Sequence, residues 1–141
     1  MRLTIETTPP KFVLFFIFVF VSAVMAMNVT AEPGKSTWIE EHMDSDLVPA
    51  AEYGVLLPPG YSSKKSYPLL LLLHGGGGSR ESTKQLRPVI EAAWKTGDLP
   101  PVVALTPNAR RSFYMDYKDG SQKWESWIID ELLPHIQKRY Q

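Results

Sequence analysis

The stretch His74-Gly75-Gly76-Gly77-Gly78-Ser79 directly follows an unbroken apolar run, Leu69 to Leu73, and precedes a segment with helical spacing. Glycines at the carboxyl end of a strand let the chain turn sharply and leave backbone N–H groups unscreened by side chains, an arrangement that suits an electronegative atom. Two chemistries use it. One cradles phosphate, but neither G-x-x-x-x-G-K-[ST] nor G-x-G-x-x-G fits, because Ser79, Arg80 and Glu81 follow Gly78. The other is acyl transfer, in which such a loop sets an N–H against the oxygen that gains charge when a carbonyl is attacked. The order strand, glycine loop, helix is the context that acyl transfer requires, and it favours this reading over a plain turn without a ligand.

Other chemistries find less support. With no cysteine among 141 residues there is no disulfide framework, thiolate metal site or cysteine nucleophile. Asp116 and Glu125 form no recognisable metal spacing with the three histidines, so neither metal nor cofactor is expected. Fifteen Lys and Arg balance fifteen Asp and Glu. A neutral chain has no long-range attraction for nucleic acid, which is not expected as a partner.

The elements that must position the glycine loop alternate between strand and helix, which favours an α/β sheet. Residues 36–46 are polar and aromatic and read equally as a lead-in strand or a short helix. Leu47 to Leu57, closed by Pro58-Pro59-Gly60, reads as a strand, and Leu69 to Leu73 as a strand covered on both faces. Leu86, Val89, Ile90, Ala93 and Trp94 lie at helical spacing between Arg80 and Thr96, with Pro88 placing the start of the helix proper near Arg87. Val102 to Leu105 is a further short strand. Trp124, Ile128, Leu132, Ile136 and Tyr140, spaced by four and widened by Trp127, Ile129 and Leu133, predict an amphipathic helix kinked or restarted at Pro134.

Ahead of this unit, Phe12 to Met27 is uncharged, preceded by Arg2 and Lys11 and followed by the polar stretch Asn28 to Lys35. That is a signal-peptide pattern, and it predicts a secreted or periplasmic protein. An apolar run of about 16 residues spans roughly 24 Å, short of the ~30 Å needed for a membrane anchor. Cleavage after Ala31 is preferred to cleavage after Ala26. The expected organisation is a leader over 1–31 and one domain over 32–141, with no stable membrane span after cleavage.

Tyr53-Gly54-Val55-Leu56-Leu57-Pro58-Pro59-Gly60-Tyr61 and Tyr67-Pro68-Leu69 through His74-Gly75-Gly76-Gly77 resemble the opening of the putative-esterase family of α/β-hydrolases. That family includes esterase D, feruloyl and acetylxylan esterases and mycolyltransferases. Ser112 to Tyr117, and Lys123 to Ile128 leading to Glu131-Leu132-Leu133-Pro134, resemble its segment before the nucleophile strand. The resemblance covers residues 46–141. It implies a doubly wound, mostly parallel α/β-hydrolase sheet, with Gly75 and Gly76 amides as oxyanion donors and His74 and Gly77 supporting their loop. Tyr114 and Asp116, with Arg110, Arg111 and Tyr117, fall in a loop that would border the substrate, as loops after strand carboxyl ends do.

The chain departs from the family where its nucleophile should follow. No G-x-S-x-G occurs, and Gly77-Gly78-Ser79 and Gly120-Ser121 lack the second glycine. His135 and His42 have no serine or cysteine motif to serve. The expectation is the N-terminal half of an exported serine hydrolase acting on small-molecule or carbohydrate-linked esters, truncated before the nucleophile elbow and inactive alone. Acyl transfer to an alcohol, as in mycolyltransferases, and a secreted or membrane-tethered binding module without catalysis are the alternatives. An exposed strand edge and an incompletely covered terminal stripe predict aggregation or dimerisation.

Overall fold

The computed structural model describes residues 34–140, so the leader and its cleavage sites lie outside the described residues. Four strands form one sheet: β1 (Thr37–His42), β2 (Glu52–Leu57), β3 (Leu69–Leu71) and β4 (Val103–Pro107), in the order β1-β2-β4-β3. The segment that read as strand or helix is thus strand β1. Pairing is antiparallel for β1–β2 and β2–β4, and parallel for β3–β4. The mostly parallel sheet expected is therefore mixed in this region. Parallel pairing needs a crossover, and α1 (Arg80–Lys84) with α2 (Arg87–Thr96) supplies one only between β3 and β4.

Side chains alternate between two faces, as the period of a strand requires. Tyr53, Val55 and Leu57 join Val103 and Leu105 on one face, against Trp124, Trp127, Ile128, Leu132 and Ile136. Leu56 and Ala104 point the other way, to Ile90 of α2, with Trp38, Leu70 and Trp94 packed around them. Helices therefore cover both faces, the doubly wound arrangement expected. The run Leu69 to Leu73 is less buried than predicted, because β3 forms one edge of the described sheet. Its residues are half-buried, and Leu73 is 54% exposed.

The helices start and stop where local chemistry directs. Ser79 caps α1, accepting the Glu81 N–H, while Ser82 returns the contact to the Ser79 N–H. Pro88 sits in the first turn of α2, where its missing N–H costs nothing, and Gly97 ends the helix at φ +80. Leu86 and Val89 belong to the predicted apolar face but are exposed, leaving Ile90 as the buried residue of α2.

The terminal run comprises α3 (Trp124–Ser126), a π-helical segment (Trp127–Leu132) and α4 (Leu133–Tyr140). Pro134 does not restart it. The Leu133 N–H instead reaches back five residues to Ile128 C=O, and the wider turn lies just upstream of the proline. An α-helix turns roughly 40° too far for every four residues, so a spacing of four drifts off one face. The wider π turn offsets that drift. Trp124, Ile128, Leu132, Ile136 and Tyr140 all remain buried on the sheet, so the stripe expected to lack part of its covering is covered; Ile129 points outward. Burial pushes the Tyr140 hydroxyl up to about 12. His135 is half-buried and lies 3.0 Å from the Tyr53 hydroxyl, which donates to Glu41.

Candidate active site

Gly75 to Gly78 form a tight turn closed by the Gly78 N–H donating to Gly75 C=O at 2.9 Å. Gly77 carries φ +83 at the third position, the left-handed conformation that a type II turn reserves for glycine. The Gly75 and Gly76 N–H groups have no acceptor among the described residues. Both residues are exposed. A side chain on Gly75 would enter open space, whereas one on Gly78 would meet Gly75 O at 3.1 Å and His74 Cβ at 3.2 Å.

His74 is buried beneath this turn, with 7% of its surface exposed. The Ala109 N–H donates to its Nε2 at 3.2 Å, so the ring proton sits on Nδ1, which donates to Gly75 C=O at 3.0 Å. Both nitrogens are engaged in holding backbone. Tyr114 adds a third tie, its hydroxyl donating to His74 C=O at 2.9 Å while its ring lies 5.3 Å from the imidazole. Burial raises the Tyr114 hydroxyl above its ordinary value.

Asn108 secures the other end of the turn, and nothing in the sequence beyond its place after a strand singled it out. Its Oδ1 accepts the Arg80 N–H at 3.4 Å, its Nδ2 donates to Glu52 at 2.7 Å, and its own N–H donates to Glu52 C=O at 2.9 Å. Residues 108 and 109 thus grip the glycine turn on both sides, through Arg80 and His74.

The loop beyond them is strained. Arg110, Phe113 and Tyr114 take φ of 52, 55 and 59, a left-handed region that bulky residues rarely enter and that costs about 1–3 kcal/mol each. Buried Ser112 offsets part of this by accepting the Tyr114 N–H at 3.1 Å. The loop brings the Phe113 ring within 3.9 Å of where a Gly76 Cβ would stand, and the Arg111 guanidinium within 3.7 Å of the same point on Gly77.

Asp116, expected at the substrate, instead accepts the Ser126 N–H at 3.1 Å and the Ser126 hydroxyl at 2.5 Å. It acts as a remote cap on the terminal helical run, whose own Lys123 offers no side-chain cap. The Ser126 hydroxyl and N–H hold the Asp116 carboxyl below its ordinary range. Tyr114 likewise turns its hydroxyl to the loop backbone. A shallow depression of about 510 Å³ runs along Met115 to Asp119. A separate groove of about 470 Å³, lined by Ser36, Pro58, Glu91 and Trp94 among others, shares none of these residues. No cluster of three metal-ligating side chains occurs among the described residues, and no described helix is long and apolar enough to cross a membrane.

The family model described as "Esterase: Putative esterase" matches residues 50–141. The chain belongs to this esterase family. Among solved structures, a ferulic acid esterase superposes with a TM-score of 0.69 at 25% identity, over 77% of this chain and 44% of its own. A serine-to-alanine mutant of the feruloyl esterase module from Clostridium thermocellum, complexed with sinapinate, gives 0.60 at 21% identity, over 78% of this chain and 38% of its own. An S-formylglutathione hydrolase from Agrobacterium tumefaciens gives 0.62 at 14% identity, over 79% and 47%. The fold is that of the α/β-hydrolases, and the chain spans less than half the length of each of these neighbours. No curated protein sequence matches it.

Proposed function

We propose that this esterase-family chain provides the oxyanion-binding part of an exported carboxylic ester hydrolase. The observation that carries the reading is the glycine turn: Gly75 and Gly76 are exposed and their N–H groups have no acceptor among the described residues, while His74 holds Gly75 C=O and Tyr114 and Asn108 hold the flanking backbone at His74 and Arg80. Preorganised donors of this kind act in a transition state because they need no reorganisation as charge develops. The reaction is attack of a serine on an ester carbonyl, with a histidine and an acid managing the proton and the two amides receiving the charged oxygen. Serine, acid and base are not drawn from residues 32–141: His74 uses both ring nitrogens on backbone, and no G-x-S-x-G is present. Export rests on the leader pattern of Phe12 to Met27.

Hydrolysis of p-nitrophenyl acetate tests this. Residues 32–141 alone are expected to show no turnover, because amides stabilise charge that no nucleophile generates. Turnover abolished by a serine-directed phosphonate would refute that assignment of parts. In a longer chain that carries the serine, Gly76→Val should lower kcat by about a hundredfold, with KM changed far less. The variant should fold, since its Cβ meets only Phe113 at 3.9 Å. Full kcat in the folded variant would remove the oxyanion role.

A further inference from the structure

The arginines of the described fold divide into two groups. Arg80 pairs with Glu40 and Glu52, Arg87 with Glu91, and Arg139 with Glu41. Arg110 and Arg111 have no ion pair or side-chain hydrogen bond among the described residues, and both are exposed. Of these two, Arg111 lies against the glycine turn, Nε and one terminal nitrogen standing 3.7 and 3.8 Å from a Cβ placed on Gly77. Phe113 lies against the next glycine, 3.9 Å from a Cβ on Gly76, and leaves 73% of its surface open. The backbone is strained at Arg110, next to Arg111, and at Phe113 itself, and such strain collects at ligand clamps. An unpaired guanidinium and an uncovered ring beside free amides match a flat ligand that carries negative charge.

We propose that Arg111 and Phe113 form a subsite selecting esters in which an aryl group bears a carboxylate, the carboxylate facing Arg111 and the aryl ring facing Phe113. The proposal rests on the ester-hydrolase reading and narrows its substrate class. The guanidinium meets the carboxylate through charge-assisted hydrogen bonds, in a fork geometry that a lysine would not reproduce. The ester itself lies over Gly75 and Gly76.

The test compares methyl 4-carboxybenzoate with methyl benzoate, the same ester with and without the charge. The full chain, 15N-labelled and held in a nonionic detergent, is titrated with each while the Gly75 to Gly78 amide resonances are followed. The charged ester should bind about fivefold more tightly, as a partly exposed, charge-assisted pair allows. Arg111→Gln should bring the two esters to equal affinity, and Phe113→Ala should weaken both by a similar factor. Equal affinity in the unaltered chain, a preference that survives Arg111→Gln, or no saturable shift with either ester at about 20 mM would overturn the subsite. Equal binding of both esters at the glycine amides would leave the ester-hydrolase reading standing. Absence of turnover in a serine-bearing longer chain would remove that reading without altering the charge preference.

Discussion

Trp127, Leu132 and Ile136 on the terminal helical run are fully buried, whereas Phe113, Met115 and Leu73, around the glycine turn, are each more than half exposed. The two regions owe their shape to different forces. The terminal run is held by apolar area pressed on the sheet, a summed and non-directional effect that tolerates variation in any one contact's geometry. The glycine turn is held by a few directional hydrogen bonds, the Ala109 N–H and Tyr114 hydroxyl donating to His74 and Asn108 accepting from the Arg80 N–H, beside a backbone strained at three residues. Area secures the scaffold, and single polar atoms set the site.

That contrast predicts a ranking of effects. Trp127→Ala removes a fully buried ring that meets Trp124 edge-on at 5.7 Å, and should cost about 3–5 kcal/mol in urea unfolding. A cost below about 1 kcal/mol would mean that the sheet and the terminal run are not one core. Next in size is a pair of glycines three residues apart. Gly78→Ala forces a Cβ to within 3.1 Å of Gly75 O and 3.2 Å of His74 Cβ, and should cost about 1–3 kcal/mol. Gly75→Ala enters open space and should stay within about 0.5 kcal/mol, so equal losses would contradict the turn geometry. Among the substitutions expected to destabilise, the smallest effect belongs to Tyr114→Phe, which deletes the hydroxyl that donates to His74 C=O. It should lower stability by about 1 kcal/mol and shift the Gly75 amide resonance, while leaving the Trp127 indole resonance in place.

The same division explains what the sequence disclosed. The spacing of Trp124, Ile128, Leu132, Ile136 and Tyr140, and the run Leu69 to Leu73 before His74-Gly75-Gly76-Gly77, carry periodicity that water alone decodes, so strands, helices and the place of the glycine turn were legible. The antiparallel pairing of β1 and β2 was not, because period-two burial is the same in parallel and antiparallel ladders. Asp116 was expected to face a substrate and caps a helix ten residues on, through Ser126, a pairing that local spacing does not encode. Asn108 escaped for the same reason, since it acts across the fold on Arg80 and Glu52, 28 and 56 positions away. The π-helical segment reflects how the stripe meets the sheet, which only packing reveals.

The oxyanion role requires the two amides of Gly75 and Gly76 to be open to an anionic oxygen. Titration of the 15N-labelled chain with methylphosphonate, a tetrahedral anion without a ring, measures this directly. The amide protons of Gly75 and Gly76 should move downfield and saturate, while those of Gly97 and Gly120, already donating to Trp94 C=O and Tyr117 C=O, stay in place. If Gly75 and Gly76 move no further than Gly120, the turn does not bind an oxyanion and the proposed function falls with it.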